Sequence, residues 1–219
     1  MLMNITVEQT MEMPDVVLFA RKLDAALKAE QEKRRHFYET IDENKKMEFI
    51  NGEVFFQSPV KMRRNSVTIA IANLLVTYVK KNSLGFVGVE KILISLTRND
   101  YEPDICFFGT EKAKNFEPTQ MQFPAPDFVV EVLSTSTERH DRETKFQDYA
   151  AHGVSEYWIV DAETEKVEQY FLHDDYYKLE EKSGDGMIAS LAVKGFQIPI
   201  RAIFDDSENL AALARIISA

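Results

Sequence analysis

Two short apolar runs bracket a helical stretch: Asp127-Phe128-Val129-Val130-Glu131-Val132-Leu133 and Glu156-Tyr157-Trp158-Ile159-Val160-Asp161. This strand, helix, strand order constrains the fold more than any other feature of the chain. Both runs are apolar at consecutive positions, the pattern of strands covered on both faces. Ser136 or Thr137 caps the helix between them, which runs to His152, and Gly153 ends it. Short joins on either side predict a parallel pair with the helix as crossover. Trp158 then has a structural role beside the Glu131 strand.

The remaining segments extend this unit. Lys46 to Phe56 reads as a hairpin turning at Asn51-Gly52, a pair that supplies the positive φ of a two-residue turn. Ser66 to Lys81 repeats apolar residues at three- and four-residue steps and reads as a helix. Gly85–Val89, Ile92–Leu96 and the Pro103 segment read as strands, and Gly109 to Pro126 as a polar loop long enough to be functional or mobile. Lys166–Leu172 and Tyr176–Glu181 form a second hairpin. Met187–Val193 and Gly195–Ile200 add short strands, and Glu208–Ile217 closes the chain as a helix. Before all of these, Pro14 opens a helix reaching about Phe37, whose second half is almost wholly polar. It reads as a peripheral arm, so the chain divides into an N-terminal helical arm, 1–45, and an α/β domain, 46–219.

Charge narrows the function classes. The net charge is −10, so a broad basic surface for nucleic acid is excluded and any such contact must use a local patch. Basic clusters occur at Lys33-Arg34-Arg35, Lys45-Lys46, Lys61/Arg63-Arg64 and Lys80-Lys81, and each alone reads as a solvated face or helix end. Cys106 is the only cysteine, set inside an apolar strand, so it reads as an inert core residue in a chain of the reducing cytoplasm. No apolar run approaches the roughly 20 residues of a membrane span, and Met1 to Asp15 lacks the basic start of a signal peptide. The four histidines show no metal-ligand spacing, and no glycine-rich phosphate loop occurs.

What stands out is acid in apolar strands. Burying a lone carboxylate is costly, so such groups are paired, neutralised or bound to metal. Asp104 follows Pro103 at the start of an apolar strand, where it is either a site residue or an acid capping nearby amides. Glu131 shares a strand face with Val129 and Leu133, where an acid is either a functional group or half of a structural salt bridge. Lys145, four residues after Asp141, is either a surface ion-pair partner or a cation reaching over the strand ends, where open α/β sheets place their sites. Glu53, just past the hairpin turn, is a further candidate or an exposed hairpin acid, and Glu90 is a weaker one.

Taken together, Phe49-Ile50-Asn51-Gly52-Glu53, Ser58-Pro59, Pro103-Asp104, Val130-Glu131-Val132-Leu133-Ser134, Asp141…Lys145…Tyr149 and Gly153 to Asp161 resemble the Uma-type putative restriction endonucleases. These bacterial proteins belong to the PD-(D/E)xK nuclease superfamily. The resemblance spans roughly Lys46 to Phe204. It implies a restriction-endonuclease-like mixed β-sheet flanked by helices, with Asp104 and Glu131 as metal-binding acids. The superfamily lysine would stand two residues after the second acid, where this chain has Leu133, and Lys145 on the next helix becomes its substitute. The family often carries a histidine shortly after Ser-Pro, in the region where Arg64 and Asn65 stand here.

The expectation is therefore an endonuclease using Mg²⁺ or Mn²⁺ to hydrolyse DNA phosphodiester bonds, with Asp104, Glu131, Lys145 and Glu53 as catalytic residues. A metal held by Asp104 and Glu131 would activate the attacking water, and Lys145 would orient that water or stabilise the oxyanion. Lys145→Ala is expected to leave folding almost intact, as for a solvent-edge ion pair. A homodimer is expected through the apolar stripe of the N-terminal helix. The competing readings are a non-catalytic nuclease-like scaffold and a metal-dependent phosphodiesterase acting on a small nucleotide.

Overall fold

The computed structural model describes residues 6–42 and 45–218. The chain runs α1 (Val7–Met11), α2 (Val16–Thr40), β1 (Met47–Ile50), β2 (Glu53–Phe56), α3 (Met62–Asn82), β3 (Gly85–Val89), β4 (Leu93–Ser95), β5 (Asp100–Tyr101), β6 (Ile105–Gly109) and α4 (Thr110–Ala113). It continues with β7 (Gln122–Phe123), β8 (Phe128–Val132), α5 (Glu138–Arg142), α6 (Thr144–Ala151), β9 (Glu156–Asp161), β10 (Lys166–His173), β11 (Tyr176–Ser183), β12 (Met187–Ala189) and β13 (Gln197–Pro199). A 3₁₀ turn (Ile200–Ile203) and α7 (Asp206–Ser218) end it.

The main sheet has six strands in the order β11-β10-β9-β8-β6-β3. Its one parallel pair is β8 with β9, Val130 opposite Trp158, joined through α5 and α6 as the sequence predicts. A second sheet orders β2-β1-β5-β4-β7, and β12 pairs with β13. One face of the main sheet, with Val130, Phe128 and Trp158, packs on α3 and α7. The other, with Cys106, Phe108, Val129 and Tyr157, packs on α6 and on the second sheet through Ile50, Ile94 and Tyr101. Trp158 is fully buried and its Nε1 donates to Glu156 Oε1 at 2.6 Å. No helix among the described residues is long and apolar enough to cross a membrane.

Four departures from the sequence reading have physical causes. The crossover is two helices, because at Glu143 ψ falls to −76° and the ladder is interrupted. The segment from Gly109 to Pro126 is no free loop. Phe116 and Phe123 pack edge to face at 5.1 Å within an aromatic cluster with Phe86 and Phe108, and β7 pairs parallel with β4. Helix α3 begins at Met62, a turn earlier than its apolar period shows, because that turn is anchored by Arg64 rather than by apolar packing. The N-terminal helix is peripheral only in its first half. Phe37 is buried against Met47, Phe49 and Leu93, and Arg34 donates to buried Asp100 at 2.6 and 2.8 Å and to the Leu96 carbonyl at 2.7 Å.

Candidate active site

Strand β6 runs antiparallel to β8 with Ile105 opposite Val130, so the start of β6 lies beside the end of β8. One step further along this register, Asp104 faces Glu131. Both are buried, at 0% and 2% exposure. The structure brings Asp104, Glu131 and Lys145 to one end of the sheet, but it divides them between two charge clusters.

The first cluster surrounds Asp104. Arg64 Nη2 faces both carboxylate oxygens, at 2.8 and 2.6 Å, while its Nε donates to the Val132 carbonyl at 2.6 Å. Lys46 Nζ lies 2.9 Å from Asp104 Oδ1 and 2.9 Å from Glu90 Oε2. The Val132 amide donates to Oδ2 at 2.8 Å. Glu90 reaches Lys46 from a left-handed turn (φ 55°) that is tied by its N–H to the Asp104 carbonyl. Burial alone would raise the Asp104 carboxyl; Lys46, Arg64 and the Val132 amide outweigh it and hold the group below its ordinary value.

The second cluster surrounds Lys145, which is 1% exposed. Its ammonium lies 2.9 Å from Glu48, 3.0 Å from Glu131 and 3.1 Å from Asp141. The Tyr101 ring lies beneath it, 5.8 Å from the nitrogen to the ring centroid. Burial pushes the Glu131 carboxyl well above its ordinary value; Lys145 opposes this, and Asp141, Asp104 and Glu48 add to it. Asp141 is raised for similar reasons, burial first. Burial would lower Lys145, but the three carboxylates overcome it and the ammonium stays charged. The expected partnership of Asp141 with Lys145 is present. A place for Lys145 beside both metal-binding acids, as the expected role at their shared water requires, is not: among the described residues no ion pair joins it to Asp104, whose carboxylate Arg64 and Lys46 surround. Lys145 is also no solvent-edge residue, so the expectation that Lys145→Ala barely affects folding is overturned by its burial.

Glu53 stands apart. It is exposed on β2, opposite Ile50, and none of the ion pairs described above involves it. The hairpin acid that enters the site is Glu48, whose Oε1 also accepts from the Glu102 amide at 3.0 Å. Sequence reasoning missed Glu48, Lys46 and Arg64. Glu48 is the one acid in an otherwise apolar, fully buried β1, the same signal as Glu131, but its place in a hairpin made it read as an acid on a solvated face. Lys46 and Arg64 were hidden inside basic clusters that read as surface.

A cleft of about 430 Å³ opens at the ends of β8 and β9. Ser58, Lys61, Ser134, Ser136 and Thr137 supply hydroxyls and an ammonium to its wall, with Glu138, Asp161 and Glu163 as acids. Arg64 lies on this wall, so it is the link between the cleft and Asp104.

The donors at the strand end are carboxylate oxygens, the type a hard divalent cation takes. Five carboxylates (Glu48, Glu90, Asp104, Glu131, Asp141) meet three cations (Lys46, Arg64, Lys145). Their convergence points, however, are filled by those side-chain cations. Among the described residues no three acids, histidines or cysteines are placed to hold a metal ion. As arranged, the residues do not fit Mg²⁺ or Mn²⁺.

A restriction-endonuclease-like α/β fold with buried acids at a strand end defines a nuclease-like protein. The chain belongs to the Uma2 family, described as "Putative restriction endonuclease", whose model matches residues 34–201. That match begins at Arg34, the residue that clamps α2 to the second sheet. "Uncharacterized protein sll1609" of Synechocystis sp. (strain ATCC 27184 / PCC 6803 / Kazusa) is 28% identical over 127 residues, 57% of this chain and 71% of the relative. "Uncharacterized protein slr1290" of the same organism is 26% identical over 135 residues, 61% of this chain and 70% of the relative. A solved structure described as a putative nuclease belonging to DUF820, from Anabaena variabilis ATCC 29413, superposes with a TM-score of 0.66 at 15% identity. The match covers 81% of this chain and 96% of that one, and it establishes the shared fold. Family and fold together support nuclease function in general terms.

Proposed function

We propose that the chain is an endonuclease that hydrolyses phosphodiester bonds in DNA at the strand end holding Asp104 and Glu131. One observation carries this reading: two acids are buried at one end of the main sheet, Asp104 just before β6 and Glu131 near the end of β8, beside a cleft lined by Arg64, Lys61 and hydroxyl groups. Packing alone gives no reason to put ionisable groups there. In this reading Lys145, fixed by three carboxylates, orients the attacking water or takes up oxyanion charge. Glu131, whose carboxyl burial pushes up against the pull of Lys145, is the acid placed to exchange a proton with that water.

Nicking of supercoiled plasmid, with Mg²⁺ or Mn²⁺ in the buffer, tests the proposal. Asp104→Asn and Glu131→Gln should each lower cleavage by about two orders of magnitude or more. Lys166→Ala, on the exposed side of β10, should leave it unchanged. Equal cleavage by wild type and both acid variants would refute the assignment. A second copy of the chain would dock on the exposed apolar residues Val17, Leu18, Leu23 and Leu27 of α2. Light scattering before and after deleting residues 1–28 tests this while sparing the Arg34 and Phe37 anchors.

Two other readings each have one observation in their favour. A non-catalytic scaffold is favoured by the saturation of Asp104 with the chain's own cations. A phosphodiesterase for a small nucleotide is favoured by the cleft volume, which lies in the range of small-molecule sites. A dinucleotide tested beside the plasmid separates these from the endonuclease.

A further inference from the structure

The mismatch between the acids and a divalent ion centres on one residue. Arg64 enters from the first turn of α3 and is 7% exposed. Its Nη2 sits 2.8 and 2.6 Å from the two oxygens of Asp104, so one donor nitrogen covers the carboxylate where a cation would bind both oxygens. Its Nε is tied to the Val132 carbonyl at 2.6 Å, which belongs to the strand carrying Glu131. The guanidinium is thus bound to the two strands whose acids face each other.

We propose that Arg64 is a tethered cation that occupies the divalent-metal position at Asp104, so that metal binding there requires Arg64 to leave. This deepens the nuclease reading and rests on its placement of the site. Three features support it. A guanidinium stays charged at every accessible pH, so protonation changes cannot release it. Lys46 takes only Oδ1 and is shared with Glu90, so the cation that closes Oδ2, beside the Val132 amide, is Arg64. Arg64 also lines the cleft wall, so an anion in the cleft meets this guanidinium before any other group of the cluster. Phosphate and carboxylate make equivalent hydrogen-bond partners for it.

Mn²⁺ binding, read by calorimetry and by loss of free-ion signal in electron paramagnetic resonance, tests the inference without any activity measurement. Wild type should show no saturable binding at the strand end in the absence of DNA. Arg64→Gln should bind one Mn²⁺ at least tenfold more tightly than wild type, and adding Asp104→Asn to it should abolish the gain. Circular dichroism at each step establishes folding. If Arg64→Gln does not fold, Arg64→Lys provides the second variant. Lysine is shorter and lacks the Nε that ties the side chain to the Val132 carbonyl, so its charge is displaced more easily and it should also bind Mn²⁺ more tightly than wild type. Wild-type binding as tight as that of the folded variant overturns the inference, as does a folded variant with no gain. If the gain appears and no protein nicks DNA, the tethered cation stands and the endonuclease reading falls.

Discussion

Replacing Lys145 with methionine keeps most of the side-chain volume and deletes the one cation that three buried carboxylates share. The lysine is 1% exposed, and its three carboxylate partners lie at 2.9, 3.0 and 3.1 Å. Without it, Glu48, Glu131 and Asp141 face one another in a site from which water is nearly excluded. Removing one partner of a buried ion pair costs about 3–5 kcal/mol. For a chain of this length that corresponds to a melting temperature lower by roughly 6–20 °C. The cost should depend on pH. Glu131 and Asp141 are already raised above their ordinary values with the ammonium in place, and they rise further without it. The folded variant then binds more protons than the unfolded chain above ordinary carboxyl values, so its stability falls as pH rises. Its deficit against wild type should be small near pH 5 and full at pH 8. Urea denaturation at both pH values, followed by Trp158 fluorescence, measures it. A deficit under about 1 kcal/mol at pH 8, the scale of an exposed pair, would refute the reasoning. So would a deficit that grows toward pH 5.

Arg34→Ala should free the N-terminal helix, because it leaves buried Asp100 with Tyr38 as its remaining side-chain partner, at 2.8 Å; limited proteolysis should then cut within α2, where wild type resists near Phe37. Glu102 is pushed up to about 7, chiefly by burial and against the pull of the Met47 amide and Lys46. Wild type therefore loses stability as pH rises from the ordinary carboxyl range through about 7, and Glu102→Gln should flatten that part of the curve in denaturant titrations. Trp158, the only tryptophan and fully buried, should emit at short wavelength and resist iodide quenching until the protein unfolds. Gly85→Ala should destabilise severely, since the backbone has φ +142° and a Cβ would lie 2.0 Å from the Phe108 carbonyl oxygen; thermal melts measure it.

The architecture was legible where the sequence departed from its own pattern. Glu131 stood out because every neighbour on its strand is apolar, and the parallel pairing of β8 with β9 followed from short joins around a helix. The partners of these acids were not legible. Glu48 carries the same mark as Glu131, one acid among Met47, Phe49 and Ile50, but it sits in a hairpin, where a strand commonly turns one face to water and an acid raises no question. Lys46 and Arg64 are basic residues beside other basic residues, and only the tertiary fold distinguishes the one that turns inward from Lys45 or Arg63. Glu53 was misjudged because it directly follows the Asn51-Gly52 turn, yet β2 is an edge strand of its sheet and Glu53 is exposed there. The extra first turn of α3 carries no apolar period, because Arg64 anchors it through charge.

The two clusters at the strand end are joined by β1 and the residue before it: Lys46 serves Asp104 and Glu48 serves Lys145. The partners lie far apart along the chain, 58 residues for Lys46 with Asp104, 40 for Arg64 with Asp104, and 14 for Lys145 with Glu131. Such contacts form late, after local helices and hairpins. Until the Lys46–Phe56 hairpin and the start of α3 have docked, any collapsed form of the main sheet must bury Asp104 without its two cations, Lys46 and Arg64, or leave that end open to water. Closing that end of the core is favourable only once both cations are in place, so the charges that mark the site tie the docking of β1 and of α3 to each other.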